Sequence, residues 1–480
     1  MQNFNKIHIE TLGCRLNQIE SESIAKVFLD LNFDVKMDSL SAKNECDADV
    51  KLSILNTCTV TQKSEQKARR IIRLMLEKYP SSLVIVTGCY AQLAEKEISQ
   101  IDKRVFVIMG QIKSRISTIP AILNEFLQRN EWNPLTFKQE LTNLTSVPQE
   151  KKFFPENSFK LSASSLLAHS RASLKIQDGC NNNCSYCAIH IARGHSVSLD
   201  VQTAIDRVVE LENKGYDEVV LTTVNIAQYK GQYKTEYCNF TQLLELLLQN
   251  TKHIRFRISS LYPEIIDEKF CTVISDNRVQ PHFHLSVQSG SNKILQLMNR
   301  QYTKEQVINA CKMLRKAKNN PFIACDIITG FPGETEQDFN DTKKLCDECQ
   351  FTWVHSFPFS PRPGTVALKL ENKVPNSVSG ERSKTLTQWA INQKITYCNQ
   401  FIGKKLSAII ETVKRPAAIS QSKNILIYHA VTENFLHCEI LSNNELAVSK
   451  KVELEITEVL SERIKKGGDI EVSAKIIQKI

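Results

Sequence analysis

Short apolar runs bounded by polar residues recur along the chain, and their spacing divides it into three textures. Over residues 1–128 the runs KIHIETLG, KLSILNT, LVIVTG and RVFVIMG are rich in β-branched residues and too short for buried helices, so they read as strands. Helical periods over 18–31, 63–78 and 91–99 lie between them. Strands alternating with helices predict an open parallel α/β sheet. From about 130 to 170 the periodicity dissolves into polar text such as NEWNPLTFKQELTNLTSVPQEKKFFPENS, and a linker over 129–169 is expected.

Residues 170–400 carry a second alternating series, with strands SLKIQDG, EVVLTTV, IRFRISS, FHLSVQS, FIACDIIT and WVHSFPF. Helical periods fall at 201–214, 241–249, after Pro263, near Asn292, and at 304–318 and 336–348. Six strands with helical crossovers predict a partial or full βα barrel, a fold that gathers its chemistry at the C-terminal ends of its strands. Residues 401–480 change to short strands without long helices (LSAIIETV, NILIYHAV, FLHCEIL, KVELEITEVL), which predicts a small β-barrel.

Composition adds limits. A chain of 480 residues accommodates about three domains at ~150 residues each. No stretch approaches the roughly 20 apolar residues of a membrane span, and the opening MQNFNKIHIE has no apolar signal core, so a soluble, cytoplasmic protein without membrane attachment is expected. Fifteen cysteines are too dilute for a disulfide scaffold, and their odd number argues against complete pairing, so some are expected to be metal ligands. The net charge of +9 is compatible with a polyanionic partner without demanding one.

The most specific chemical signal is KIQDGCNNNCSYC, a C-x3-C-x2-C spacing formed by Cys180, Cys184 and Cys187 directly after the first strand of the second series. Three thiolates on one loop can bind three irons of a cubane and leave the fourth open. An open iron can chelate the amino and carboxylate groups of S-adenosylmethionine (SAM) and pass it an electron, giving a 5′-deoxyadenosyl radical. Zinc is the plain alternative; it wants four ligands, which His190 or His195 would have to complete, and this spacing is unusual for it.

The loop resembles that of the radical SAM superfamily. DIITGFPG (326–333) resembles the superfamily's fifth-strand motif, and RISSLYP (257–263) its ribose-contacting fourth strand. The resemblance implies SAM contacts from Tyr186, Thr223, Asn225, Ser259, Gln288, Ile328 and Gly330. Thr223 is a departure, standing where relatives typically carry glycine in Thr-Gly-Val-Asn, at the backbone edge that meets the methionine amino group.

Three further cysteines share a position: Cys14 follows KIHIETLG, Cys58 follows KLSILNT and Cys89 follows LVIVTG. Each stands just past the C-terminal end of an expected parallel strand, the edge where ligands gather in open α/β sheets. They could converge on a second cluster, or they could be small buried residues, as free cysteines often are. The words around them, TLGCRLNQIESE, LNTCTVTQKSEQKARR and VTGCYAQ, closely resemble the three cysteine motifs of the methylthiotransferase family. GCRLNQ, and ARG after the radical loop, resemble the branch that modifies N6-threonylcarbamoyladenosine beside the tRNA anticodon; Asn183, Ala188 and His190 depart from its pattern.

Membership implies two [4Fe-4S] clusters and SAM. One SAM methylates a sulfur at the first-domain cluster, and another yields the radical that opens adenine C2 for the methylthio group. It also implies a tRNA anticodon stem-loop as partner, an external electron donor such as flavodoxin or ferredoxin, and a monomer. The rivals are the isopentenyladenosine branch, the branch acting on a ribosomal protein aspartate, and a two-cluster electron carrier without catalysis. The tail from Gly403 resembles the TRAM module, with a purely structural β-domain as the alternative. Lys63, Lys67, Arg69, Arg70 and Arg73 crowd the helix after Cys58 and could grip phosphates, or could form a solvated face with Glu65 and Glu77. Cys346 and Cys349 form a C-x2-C on an expected helix with no partner pair, and no metal is assigned to them.

Overall fold

A computed structural model of the chain describes residues 5–145, 158–161, 171–414 and 426–479; parts of the expected linker, 146–157 and 162–170, lie outside the described residues. The first domain is a parallel sheet of β1 (Lys6–Thr11), β2 (Asp34–Lys36), β3 (Val50–Thr57), β4 (Leu83–Gly88) and β5 (Val105–Val107), in the order β2-β1-β3-β4-β5. Its central strands are apolar throughout because both faces are covered. Leu52, Ile54 and Ile85 share a core with Ile24 and Phe28 of α1 (Arg15–Leu29), while Leu55, Val84 and Val86 share one with Ile72 and Met75 of α2 (Gln62–Lys78). A reciprocal cap between Thr61 and Ser64 fixes the start of α2.

The segment read as a linker is folded where it is described. A helix over Pro134–Glu140 buries Phe137 against Phe126, ring centroids 5.2 Å apart, and the Trp132 indole donates to the Ser81 carbonyl at 2.7 Å. Seven residues are too few to display a helical period, which is why the text looked structureless.

The six barrel strands form two parallel three-stranded sheets: Ala172–Lys175, Glu218–Thr222 and Arg255–Ile258, then His282–Gln288, Phe322–Thr329 and Trp353–Pro358. A parallel bridge between Leu261 and Leu285 joins the halves, with the Leu261 N–H donating to the His284 carbonyl at 2.7 Å. The RISSLYP motif therefore ends the third barrel strand, not the fourth, and Gln288 ends the fourth. Strands one and six do not pair with each other among the described residues, so the barrel is open on one side. Leu285, Cys325 and Ile327 face the outer helices in a core with Cys311, Leu314 and Leu345. Strand alternation turns their neighbours His284, Ser286 and Asp326 into the lumen.

A 24-residue helix over Asn376–Asn399 was not legible in the sequence. It serves two cores, giving Leu386 and Ala390 to the barrel and Ile391, Tyr397 and Cys398 to the C-terminal domain, so no single apolar stripe forms. That last domain is a closed five-stranded barrel, Lys405–Lys414, Leu426–Thr432, His437–Ser442, Lys451–Val459 and Val472–Lys479. Its fifth strand also went unread.

Phe435, in the turn after Leu426–Thr432, stoppers the barrel at the N-terminal ends of its strands. Its ring stacks on His282 at 4.0 Å and lies beside the Arg257 and Arg171 guanidiniums at 5.3 and 6.0 Å. Burial alone would raise the Glu218 carboxyl beneath them, but Arg257, bonded to it at 2.7 Å, and Arg171 bring it down to about 2. No helix among the described residues is long and apolar enough to cross a membrane.

Candidate active site

A parallel sheet exposes its strand ends on one edge, and a partial barrel leaves one flank open; here each defect covers the other. The N-terminal domain spans the open flank of the barrel. On one side Arg15 Nε donates to Ser173 Oγ of strand one at 2.9 Å. On the other, the segment after strand six is engaged: the Gln62 N–H donates to Ser360 Oγ at 3.3 Å, and Arg362 donates to Thr59 Oγ1 at 3.1 Å and pairs with Glu65.

The radical loop is built locally. Gly179 opens it with φ +72°, where a Cβ would lie 2.0 Å from the His195 carbonyl oxygen. The Cys180 N–H donates to the Gly194 carbonyl at 3.0 Å, the Ser185 N–H to that of Met298 at 3.1 Å, and the Ala367 N–H to that of Ser185 at 2.7 Å. Donors point at the sulfurs too: the Asn182 N–H and Asn225 Nδ2 at Cys180 Sγ (3.4 and 3.6 Å), and the Ile189 N–H at Cys187 Sγ (3.4 Å). Such bonds support thiolate ligands and tune a cluster. Burial, reinforced by the neighbouring thiols, raises Cys184 and pushes Cys187 up to about 12, so a metal must displace protons as it binds.

The second triad is built by the sheet. Cys14 caps α1 behind β1, Cys58 follows β3, and Cys89 opens a short helix, Cys89–Leu93, behind β4; β1, β3 and β4 are adjacent. Gly13, at φ +112°, makes room, since a Cβ there would lie 2.6 Å from Cys58 Cβ and 3.0 Å from its sulfur. Burial pushes Cys58 up to about 12 and raises Cys89, with Cys89 and Cys14 adding to the first shift and Cys14 to the second. Among the described residues no three His, Cys, Asp or Glu side chains are drawn onto a single ion, and all fifteen thiols are free. Three thiolates can hold three irons of a cubane, whereas a tetrahedral zinc ion wants four ligands.

Between the triads lies a buried ion network. Glu20 of α1 accepts from Lys175 at 2.9 Å, from Arg193 at 3.1 Å and from Lys113; Asp178 accepts from Lys175 at 2.5 Å and from Arg193 at 2.7 Å. Arg193 Nη2 also donates to Asn17 Oδ1 at 2.7 Å, and Asn17 Nδ2 donates to the carbonyls of Leu12 and Thr57, at 2.8 and 3.0 Å, just ahead of Cys14 and Cys58. Burial would raise both carboxyls; the surrounding cations hold Glu20 well down and Asp178 at about 2. Three cations against two carboxylates leave positive charge beside the triad, and the field of Arg193 reaches Cys58 and Cys89.

Of the residues expected to meet SAM, Tyr186 lies on the radical loop and the other six at barrel strand ends. Thr223 Oγ1 lies 3.4 Å from Ser259 Oγ, so its hydroxyl turns to the neighbouring strand. The N–H groups of Val224 and Asn225 share Gln177 Oε1, at 3.0 and 2.9 Å. Tyr186 accepts from Arg300 at 2.5 Å, Gln288 has φ +71°, and Ile328 is half-buried. A Cβ on Gly330 would lie 2.2 Å from Ser379 Cβ, so its smallness admits the 24-residue helix. On α2, Lys63, Lys67, Arg70 and Arg73 are exposed, whereas Arg69 is held within its own domain by Tyr90 at 2.7 Å and Glu97 at 3.0 Å.

Sequence reasoning gave no role to Glu20, Arg300 and Arg362, nor to Asp178 and Arg193, although these two stand inside the quoted stretches KIQDGC and ARG. Glu20 sits in NQIESES, which looks like a solvated helix face until the barrel covers it. Arg300, caged by Tyr186, Tyr262 and Tyr302 at 5.7, 5.3 and 5.7 Å, carries no motif at all.

Residues 174–346 match the family model described as the radical SAM superfamily, and residues 6–110 the one described as uncharacterized protein family UPF0004. The radical SAM methyltransferase TsrM of Kitasatospora setae has the same fold at a TM-score of 0.51 and 12% identity, over 76% of this chain and 74% of that one. The molecule is a radical SAM enzyme, a class that implies SAM and a [4Fe-4S] cluster. The threonylcarbamoyladenosine tRNA methylthiotransferase MtaB of Treponema pallidum is 40% identical over 92% of this chain and 96% of its own length. The tRNA-2-methylthio-N(6)-dimethylallyladenosine synthase of Clostridium novyi is 32% identical, over 85% and 86%. This chain belongs to the radical SAM methylthiotransferase family.

Proposed function

We propose that this chain converts N6-threonylcarbamoyladenosine beside the anticodon of tRNA to its 2-methylthio derivative, with Cys180, Cys184 and Cys187 holding one [4Fe-4S] cluster and Cys14, Cys58 and Cys89 a second. The observation that carries the reading is the joint between the triads: Arg193, six residues beyond Cys187, is bonded through Asn17 to the backbone ahead of Cys14 and Cys58. A carrier of electrons alone needs neither this joint nor a SAM-binding barrel. The higher identity to the relative named for threonylcarbamoyladenosine than to the one named for dimethylallyladenosine favours that substrate.

When bound, the radical-loop cluster with SAM supplies a hydrogen-abstracting radical and the second cluster supplies the sulfur. The protein's share is placement and exclusion. Tyr186, Thr223, Asn225, Ser259, Gln288, Ile328 and Gly330 line the strand ends where SAM is held, and Arg193 and Lys113 offset the negative charge of the thiolates across the joint. Phe435 closes the barrel floor, so substrate enters from the mouth. Lys67, Arg70 and Arg73 lie on the face offered to the anticodon stem, with Arg69 supporting them from behind. An external donor such as flavodoxin or ferredoxin supplies electrons to a monomer in the cytoplasm. Incubation with SAM, a reductant and anticodon stem-loops bearing either modified adenosine, followed by nucleoside mass spectrometry, tests this: 2-methylthio product on the threonylcarbamoyl substrate is expected. Product confined to the dimethylallyl substrate would refute it.

A further inference from the structure

The barrel lumen contains a polar face that the site above does not use. It starts from strand register: Asp326 of strand five pairs directly with His355 of strand six, and His284 projects beside them from strand four. His284 Nε2 lies 3.0 Å from Asp326 Oδ2, and the His284 and His355 rings are 5.2 Å apart. On its strand His284 stands one inward position above His282 of the floor, Asp326 stands two above Phe322, and the pair Ile328 and Phe357, one position higher, leads to the mouth. It is open to solvent, with His355 exposed and His284 and Asp326 partly so.

The tautomer of His355 follows from its partner. Trp353 Nε1, 3.3 Å from His355 Nδ1, is an indole nitrogen and can only donate, so Nδ1 must hold its lone pair and the ring proton sits on Nε2. That Nε2–H belongs to an exposed ring on the lumen side of strand six. Trp353 itself is pinned by the Lys394 ammonium, 4.4 Å from its ring centroid, so the donor is held in one direction. The lumen thus presents a fixed donor beside an acceptor, Asp326, that His284 holds at 3.0 Å.

We infer that His355, Asp326 and His284 form the specificity-determining wall of the substrate pocket and receive the polar N6 substituent of the target adenosine. The inference rests on the function proposed above and assigns its substrate selectivity to these residues. A threonylcarbamoyl group offers a carboxylate and a carbonyl to the His355 donor, and a hydroxyl and urea N–H to Asp326. A dimethylallyl group offers neither, and burying it here would leave these polar groups unpaired, the arrangement by which sites reject analogues lacking a hydrogen-bonding group.

The test is a pair of binding constants measured by fluorescence anisotropy on the full chain, for anticodon stem-loops bearing threonylcarbamoyladenosine and dimethylallyladenosine. Product ratios from mixed substrates are read alongside. His355→Phe keeps the ring and loses the donor, and the preference for the threonylcarbamoyl stem-loop is expected to fall about tenfold or more, the size of a hydrogen bond to a charged group. His355→Gln, whose amide nitrogen can stand near Nε2, restores most of it, and Asp326→Asn lowers it. Thermal unfolding verifies that each variant is folded. A wild-type preference that survives both His355→Phe and Asp326→Asn overturns the inference alone. A wild-type chain that prefers the dimethylallyl stem-loop overturns the function on which it rests, and the inference with it.

Discussion

The two cysteine triads are assembled by opposite routes. Cys180, Cys184 and Cys187 sit on one loop whose turn, pins and sulfur-directed donors lie mostly within a few residues of it. Cys14, Cys58 and Cys89 are brought together only when β1, β3 and β4 pair, and the carbonyls ahead of two of them are tied to a side chain that Arg193 holds from the other domain. A local site should survive loosening of the domain interface. A dispersed one should not.

The largest effect is expected from Glu20→Ala, which strips three buried cations of their shared carboxylate. Breaking a buried ion pair from one side costs about 3–5 kcal/mol. Chemical denaturation should report that loss, and reconstituted iron should fall at the dispersed triad before the compact one. An unchanged denaturation midpoint would mean that the network does not hold the domains together.

A matched pair of glycines sharpens the contrast. Gly13→Ala and Gly179→Ala each put a side chain on a positive-φ residue with no room for it, next to Cys58 Cβ in one case and the His195 carbonyl in the other. Each should cost about 1–3 kcal/mol. Iron analysis should show each variant losing about half its iron, Gly13→Ala at the dispersed site and Gly179→Ala at the loop. Loss of both clusters from Gly179→Ala would deny the loop its independence.

Acid separates the two regions by a smaller margin. Asp178 in the joint and Glu218 above the barrel floor are both held at about 2, below their ordinary carboxyl values. A depressed folded-state pKa adds stability that is complete above the unfolded value, near pH 4–4.5, and drains away as pH falls toward 2. On that scale Asp178 contributes about 2 kcal/mol and Glu218 about 3 kcal/mol. Stability should therefore decline below about pH 4.5, and Asp178→Asn should flatten its share of the decline. A curve of unaltered shape in that variant would place Asp178 outside the titration.

How much of this was legible depended on range. The C-x3-C-x2-C loop, the strand-end positions of Cys14, Cys58 and Cys89, the six barrel strands and the C-terminal β-barrel were readable because local spacing and alternation encode them. The helix Asn376–Asn399 was not, because its apolar residues are divided between two cores. Nor were Glu20 and Arg193, whose burial arises from one domain covering the other and leaves no periodic trace. The basic cluster on α2 was visible as composition, but that Arg69 is already engaged by Tyr90 and Glu97 needed the fold.

That difference gives the smallest prediction. Lys67→Ala or Arg70→Ala should each lower the salt slope of tRNA binding by about 1, the mark of one lost phosphate contact, whereas Arg69→Ala should change it little. Equal slopes for all three would return α2 to a solvated face.

The central claim is that the dispersed and compact triads hold separate clusters with separate work. Anaerobic reconstitution of the wild type, of a Cys14, Cys58, Cys89→Ala variant and of a Cys180, Cys184, Cys187→Ala variant, with iron and 5′-deoxyadenosine measured on each, tests it directly. About eight irons are expected in the wild type and about four in each variant, two cubanes and one. The first variant should still cleave SAM but give no methylthiolated tRNA, and the second should do neither. A folded first variant that keeps about eight irons, or that still makes methylthiolated tRNA, would contradict the account.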